Sequence, residues 1–516
     1  MKRDGGMKDR VANREGSSTE PSTAALADRL DRNVESVRQA FADCDDVVYR
    51  MLESENGTKA CLVYFAGLAE TKELSDHALR PFLDSTLSAA AGDRSAASRL
   101  NEHLLSVTSA AVVDHMDAVV AEVTEGSAAL LVDGLSEAIV LRVPGATRRA
   151  VQESTTEVSI RGPKESFTED IQVNTALLRL KIKTADLKMV SLRVGERTHT
   201  NVIVAYLQNV ANPDVVQEAM NRIRSIRIDG VLESGYIEEC IEDDPHSIFP
   251  QLQYTERPDT AAAMLLEGRV VILVDGTPTV LTGPITFWQL MHSSEDYYER
   301  YYVANLLRFL RYGFLFLALY LPALYIAVTT FHQDMLPTSL MFSIAAAREP
   351  IPFPALIEAL IMEISFEALR EAGIRLPRVI GQAVSILGAL VIGQAAVQAG
   401  IVSAPVVIVV SLTGIASFTI PRFNLAISIR MLRFPFMVLG SFFGVYGIVL
   451  GTVWIVLHLC KLTSFGVPYL TGASPFRSED QKDILFRVPW WAMRRRPSFL
   501  SRRERRRVGD DGAATT

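Results

Sequence analysis

The sequence predicts an α/β region of two related modules followed by an all-α polytopic membrane domain. Three observations predict it. Up to about Arg311 the chain is charged and mixed, whereas Phe314 to Cys460 is dominated by apolar runs. The tetrad Leu-Val-Asp-Gly occurs at Leu131–Gly134 and again at Leu273–Gly276, each time between two short apolar strands. Finally, Arg348–Gly400 has the apolar content of a membrane segment, yet it carries Glu349, Glu358, Glu363, Glu367 and Glu371 with Arg370 and Arg375. Charge near hydrocarbon is costly and is normally kept for a pathway, a proton relay or a partner ion.

Composition narrows the function. The chain has 516 residues, room for several domains, and a formal net charge of −7, which gives no global basis for binding nucleic acid. Cys44, Cys61, Cys240 and Cys460 are scattered, without a CxxC or a metal-ligand spacing, and read as buried thiols in a reducing compartment. There is no phosphate loop, nucleophile elbow or metal constellation, and the eight histidines are dispersed, so no catalytic residue, metal or cofactor is expected. Residues 1–27 lack a hydrophobic run, are not a signal peptide, and are expected to form a disordered tail. The large N-terminal region is therefore expected to stay in the cytoplasm.

The first module is placed at 28–150 and the second at 151–292. In the first, Val47–Glu53 and Lys59–Phe65 flank Asn56-Gly57, a strong short hairpin signal, and a later strand pair turns at Asp133-Gly134. In the second, Leu187–Val194 pairs with Val202–Leu207, and a later pair turns at Asp275-Gly276. Three-to-four spacing predicts helices at Asp28–Phe41, Met116–Glu125, Ile171–Lys181, Asp214–Arg224 and Thr260–Glu267. Between the modules, Arg161–Asp170 reads as a solvated linker whose Ser166 or Thr168 could cap the next helix.

The membrane domain is placed at 293–475. Tyr297, Tyr298, Tyr301 and Tyr302, interleaved with Arg300, Arg308 and Arg311, suit the approach to a bilayer. Four runs approach the roughly 20 apolar residues a span needs: Tyr312–Phe331, Val379–Val402, Ala404–Ile420 and Phe436–Leu459. In the last, Gly440 and Gly444, then Gly447 and Gly451, are paired four apart and suit close helix packing or oligomerisation, within one subunit or in a ring. The basic tail, 476–516, favours the cytoplasm by the positive-inside rule. Four crossings would leave Arg375, Arg378, Arg422, Arg430 and Arg433 on the outer side, so a further partial crossing is expected.

Between the first two runs, a helix near 353–372 follows the rigid stretch Pro350-Ile351-Pro352-Phe353-Pro354. On a helical wheel Glu363, Glu367, Arg370 and Glu371 fall within about 100° of one face, and Glu358 lies opposite. Such a stripe suits either a pore- or cavity-lining helix whose carboxylates attract cations, or an amphipathic helix lying at the interface. Glu363 and Glu367, four apart and like-charged, are expected to titrate as a coupled pair. Glu358, Glu363, Glu367, Arg370 and Glu371 are thus the candidate ion-pathway residues.

The linker SIRGPKESFTEDIQVNTALLR, the strand pair EGRVVILVDGTPTVL, the segment SSEDYYERYY and the long run from ALYLPALYIAVTT to IPRFNLA together resemble the A subunit of bacterial spore germinant receptors, the GerA family. The resemblance covers roughly Asp46 to Pro475; a stage V sporulation protein AF-type paralogue shares this architecture. It implies a multi-pass protein of the spore inner membrane. It also implies a homo-oligomer working with a transporter-like B subunit and a lipoprotein C subunit, and forming a nutrient-gated channel for monovalent cations. It carries the pore assignment onto Phe353–Gly373. A structural subunit of the receptor, in which the glutamates only make ion pairs, and a secondary ion transporter are the alternative readings.

Overall fold

The computed structural model describes residues 25–83, 110–143, 145, 157, 161–377, 380–381, 388, 391, 393–476, 480–501 and 504–507. Most of the expected tail at 1–27 and much of the expected second span, with Gln382 and Ser385, lie outside the described residues. The chain forms two compact units, 1–147 with 182–187, and 148–181 with 188–516.

The first unit holds α1 (Leu30–Ala40), β1 (Val47–Glu53), β2 (Lys59–Phe65), β3 (Ala110–Val113), α2 (Met116–Thr124), β4 (Ala128–Val132) and β5 (Ala138–Leu141). Its sheet runs in the order β1-β2-β4-β5-β3. Strands β4 and β5 are buried along their whole length. The apolar runs seen in the sequence therefore form the sheet centre, where each buried Leu, Ile or Val contributes about 1.5–3 kcal/mol.

The second unit repeats this plan with α3 (Ile171–Lys181), β6 (Leu187–Val194), β7 (Thr200–Leu207), α4 (Pro213–Ser225), α5 (Ser234–Ile241), β8 (Gln253–Thr255), α6 (Pro258–Glu267), β9 (Val270–Val274) and β10 (Val280–Gly283). Its sheet order, β6-β7-β9-β10-β8, is the same topology. The match extends to side chains. Asp133 Oδ1 accepts from Leu30 N at 3.0 Å, and Asp275 Oδ1 from Ile171 N at 3.4 Å. Asn33 spans Ala27 by bonds of 2.9 and 2.7 Å, and Asn174 spans Thr168 by bonds of 2.8 and 2.7 Å. The recurring Asp-Gly thus turns a strand pair and also satisfies the open N-terminus of the module's first helix.

Two expectations change here. Arg161–Asp170 is packed rather than solvated: Phe167 is buried and donates to Glu256 O at 2.7 Å. The cap of α3 comes from Asp275 and from Asp170, whose Oδ1 accepts from Gln172 N at 2.8 Å, not from Ser166 or Thr168. Ser166 instead donates to Glu256 O. A carboxylate at the first turn also suits the helix dipole better than a hydroxyl.

The helical region of the second unit comprises α7 (Tyr301–Thr330), α8 (Thr338–Arg348), α9 (Ala355–Arg375), α10 (Ala404–Phe418) and α11 (Phe423–Lys461). Two of these, α7 and α11, are long and apolar enough to cross a membrane. The run read as one span at Phe436–Leu459 is not one straight helix. Gly444 takes φ 59° and ψ −146°, outside helical space. The chain folds back there. Beyond the turn, Gly447 lies against the Leu439 carbonyl, and a Cβ on Gly451 would sit 2.9 Å from Leu439 Cδ1 and 3.0 Å from Phe436 Cε1. In a straight helix Leu439 and Gly451 would be about 18 Å apart. The two arms of α11, roughly 31 and 25 Å long, form an antiparallel hairpin.

Polar contacts join this region to the second module. Where α11 ends, β11 (Thr463–Ser464) and β12 (Val467–Pro468) make a short hairpin whose Phe465 is buried in the module core. Asp243 accepts from Phe465 N at 3.1 Å, Gly466 N at 3.1 Å and Arg222 Nη1 at 2.5 Å, and also from Thr463 Oγ1. Burial pushes the Asp243 carboxyl up, but these bonds outweigh it and hold the group below its usual range. Where α7 begins, Asp296 accepts from Arg308 at 3.1 Å and Arg311 at 2.7 and 2.8 Å. The C-terminal segment also docks here. Asp483 accepts from Arg308 at 2.8 Å and from Tyr297 at 2.7 Å. Burial, with the Arg308 charge, pushes the neighbouring His292 imidazole down to about 3. The described part of 480–507 lies on the module.

Candidate functional site

Helix α9 carries every candidate pathway residue. Its start is set by Pro350, Pro352 and Pro354, the last at the N-cap with no side-chain cap. The direction of α9 follows from its neighbours. Glu358, near its start, meets Ser403 at the N-cap of α10. Toward its other end, Phe366 lies against Gly414 and Arg370 lies 5.9 Å from the Phe418 ring centroid. Helices α9 and α10 are therefore parallel. Gly381 lies against the Gly373 carbonyl, Gly388 against Leu369 and Gly400 against the Pro350 carbonyl, so these described residues between α9 and α10 run antiparallel to α9.

The glutamates have distinct environments. Glu358 is fully buried: Oε2 accepts from Ser403 N at 3.0 Å and Ser403 Oγ at 2.8 Å, and Oε1 from Arg348 Nε at 3.1 Å. Its carboxylate thus occupies the electropositive N-terminus of α10. Glu363 is also fully buried, and its Oε2 accepts from Arg433 Nη1 at 2.6 Å. Glu367 pairs with Arg370, whose guanidinium lies between the rings of Phe366 and Phe418. Glu371, 61% exposed, accepts from Arg375 Nε at 2.7 Å. The residues that the wheel set on one stripe, and Glu358 opposite them, form separate ion pairs. Exposure rises along the helix from Glu358 and Glu363 through Glu367 to Glu371. The exposed residues of α9 are Ile357, Ile364, Ala368, Glu371, Ile374 and Arg375.

The glycines named for helix packing all meet neighbours within this chain. Gly440 lies against the Ala323 carbonyl of α7, Gly444 against His332, and Gly447 and Gly451 against the first arm of α11. Sequence reasoning did not count Arg433, Arg348 and Ser403 among the site residues. Arg433 was visible as an arginine within the apolar run FNLAISIRMLRFPFMVLG, and an intramembrane arginine implies a partner. Among the described residues, no group of three or more His, Cys, Asp or Glu is placed to hold a metal ion. All four cysteines are free, but Cys240 and Cys460 are exposed rather than buried.

The family model described as Bacillus/Clostridium GerA spore germination protein matches residues 35–499. The chain belongs to the GerA spore germination family. It is 59% identical over 92% of both chains to an uncharacterized membrane protein, YfkQ, of Bacillus subtilis (strain 168). It is 43% identical to spore germination protein KA of the same organism, covering 94% of this chain and 89% of that protein. It is 35% identical to spore germination protein GerLA of Bacillus cereus, covering 91% and 95%. Among solved structures, it is similar to the N-terminal domain of the A subunit of the Bacillus megaterium spore germinant receptor GerK3. That match has 31% identity and a TM-score of 0.42, and covers 52% of this chain and 98% of that one. The GerA-family relatives support a role as a germination receptor subunit, and the apolar helices α7 and α11 support membrane association.

Proposed function

We propose that this GerA-family chain is the multi-pass membrane subunit of a spore germinant receptor. In this reading it oligomerises into a nutrient-gated pathway for monovalent cations in the spore inner membrane, working with a transporter-like subunit and a lipoprotein subunit. The observation that carries the reading is α9. It is a helix of the apolar layer whose carboxylates pass from fully buried to exposed along its length. Glu358 and Glu363 hold the helix, while Glu367 and Glu371, on or near its free face, raise the local cation concentration.

The helix directions support six passes. Helix α7 leaves the second module and α9 returns toward it. The described residues between α9 and α10 run the opposite way to α9, and α10 returns to Arg422, which pairs with Glu157. The two arms of α11 go out and back, ending where His458 meets Ser247 at 2.9 Å. With six passes the second module, Arg375, Arg422 and the basic tail share one side, and the positive-inside rule favours the cytoplasm for it.

One observation favours a second reading, a structural subunit: each of the four glutamates already has a basic partner. Potassium release from spores after nutrient addition separates the two readings. With Glu367→Gln and Glu371→Gln the channel reading predicts release slowed several-fold or altered in selectivity, with the receptor still assembled. Unchanged release and selectivity in an assembled complex would exclude these residues from the pathway. Lost assembly would favour the structural subunit.

A further inference from the structure

Arg433 joins three helices at mid-depth. It lies about 15 Å along the first arm of α11 from Phe423 and about 16 Å from the turn at Gly444, near the centre of a layer about 30 Å thick. Its side chain is 1% exposed and that of Glu363 0%. Nη1 donates to Glu363 Oε2 on α9 at 2.6 Å, and Nε donates to the carbonyl of Ala318 on α7 at 2.9 Å. That carbonyl is open for a reason written in the sequence. Residue 322, four positions on, is proline, which has no N–H to return the helical bond. Pro322 thus leaves an acceptor on α7, and Arg433 takes it while holding Glu363 with another nitrogen. Arginine suits this geometry because its donors are fixed in one planar fork. The arrangement is incomplete: Glu363 Oε1 and Arg433 Nη2 are buried without hydrogen-bond partners. The next charges along α9, Glu367 and Arg370, already pair with each other.

We propose that Arg433 is a positioning residue for α9. It locks the helix to α7 through Glu363 and the carbonyl freed by Pro322, so that Glu363 serves to place the carboxylate helix rather than to meet the cation. The inference deepens the channel reading and rests on it only for the consequence. The pairing itself is tested by assembly, which is read separately from cation release.

The experiment compares Glu363→Gln, Arg433→Gln, the double variant Glu363→Gln/Arg433→Gln, and Arg433→Lys in the full receptor. Both receptor in the membrane and potassium release per assembled receptor are measured. Stranding one charge of a buried pair is far costlier than removing both. Each single glutamine variant should therefore lower assembled receptor about tenfold or more, and the double variant should return it to within about threefold of wild type. Release per assembled receptor should recover with it. Arg433→Lys, which keeps the charge but not the fork, should fall between. Pro322→Ala should lower assembly when Arg433 is present and have no such effect beside Arg433→Gln. The proposal is overturned if the double variant is no better than the worse single variant. It is also overturned if Glu363→Gln abolishes release while Arg433→Gln is indifferent, since Glu363 would then act on the cation by itself. If wild-type receptor passes no cation at all, the channel reading fails while the assembly cycle still decides the role of Arg433.

Discussion

At the scale of single residues, the glutamates of α9 were legible because charge in an apolar run stands out. Their partners were not. Glu363 meets Arg433 from 70 positions away, and Glu358 meets Ser403 from 45, pairings that only tertiary packing creates. Glu363 and Glu367, read from their spacing as one like-charged pair, each meet a different arginine, Arg433 and Arg370. A quieter carboxylate makes a prediction of its own. Burial, aided by the charges of Glu242 and Glu233, pushes Glu238 of α5 up to about 7. Its folded value lies above its unfolded one, so its neutral form stabilises the fold at low pH. That contribution is lost as pH rises through about 7. Between pH 6 and pH 8 the thermal midpoint of the detergent-solubilised full chain should therefore fall. Glu238→Gln should remove that part of the fall, worth at least about 1 kcal/mol. Identical pH profiles for the two proteins would contradict the assignment.

At the scale of elements, the five helices predicted in the soluble modules form at nearly the expected positions, because each has an apolar face at helical spacing. The short α5 escaped notice: its eight residues offer barely two turns of pattern. The apolar run of α11 was misread as one span for a different reason. Hydropathy is blind to direction, and nothing apolar changes at Gly444. Only the backbone reveals the turn, since φ 59° with ψ −146° is a conformation that side chains beyond glycine scarcely adopt. Gly444→Ala should cost about 1–3 kcal/mol from backbone strain alone. Gly447→Leu should cost at least as much by forcing the arms of the hairpin apart. Gly313→Ala, in α7 with open space around it, is the control and should be neutral or slightly stabilising. Unfolding in detergent measures all three. Equal stability of the Gly444 and Gly313 variants would mean that the hairpin does not depend on this turn.

At the scale of the whole molecule, the division into an α/β half and an apolar helical half was readable from composition. The duplication was readable from one tetrad, because Asp-Gly serves a strand turn and a helix cap at once. The number of passes was not readable. The charges of α9 keep it out of a hydropathy scan, and the two arms of α11 count there as one run. In the six-pass reading proposed above, the helices form a layer in which buried ion pairs fix α9 from one side and leave Ile364, Ala368 and Glu371 open on the other. The central claim is that this open face borders the cation path. It is tested most directly by placing a cysteine at Ala368, after replacing the exposed Cys240 and Cys460 with serine. A charged, membrane-impermeant thiol reagent is then applied to the assembled receptor while nutrient-triggered potassium release is recorded. The account predicts that modification occurs and blocks release. Full modification with undiminished release, or a cysteine that stays unreactive while potassium flows, would contradict it.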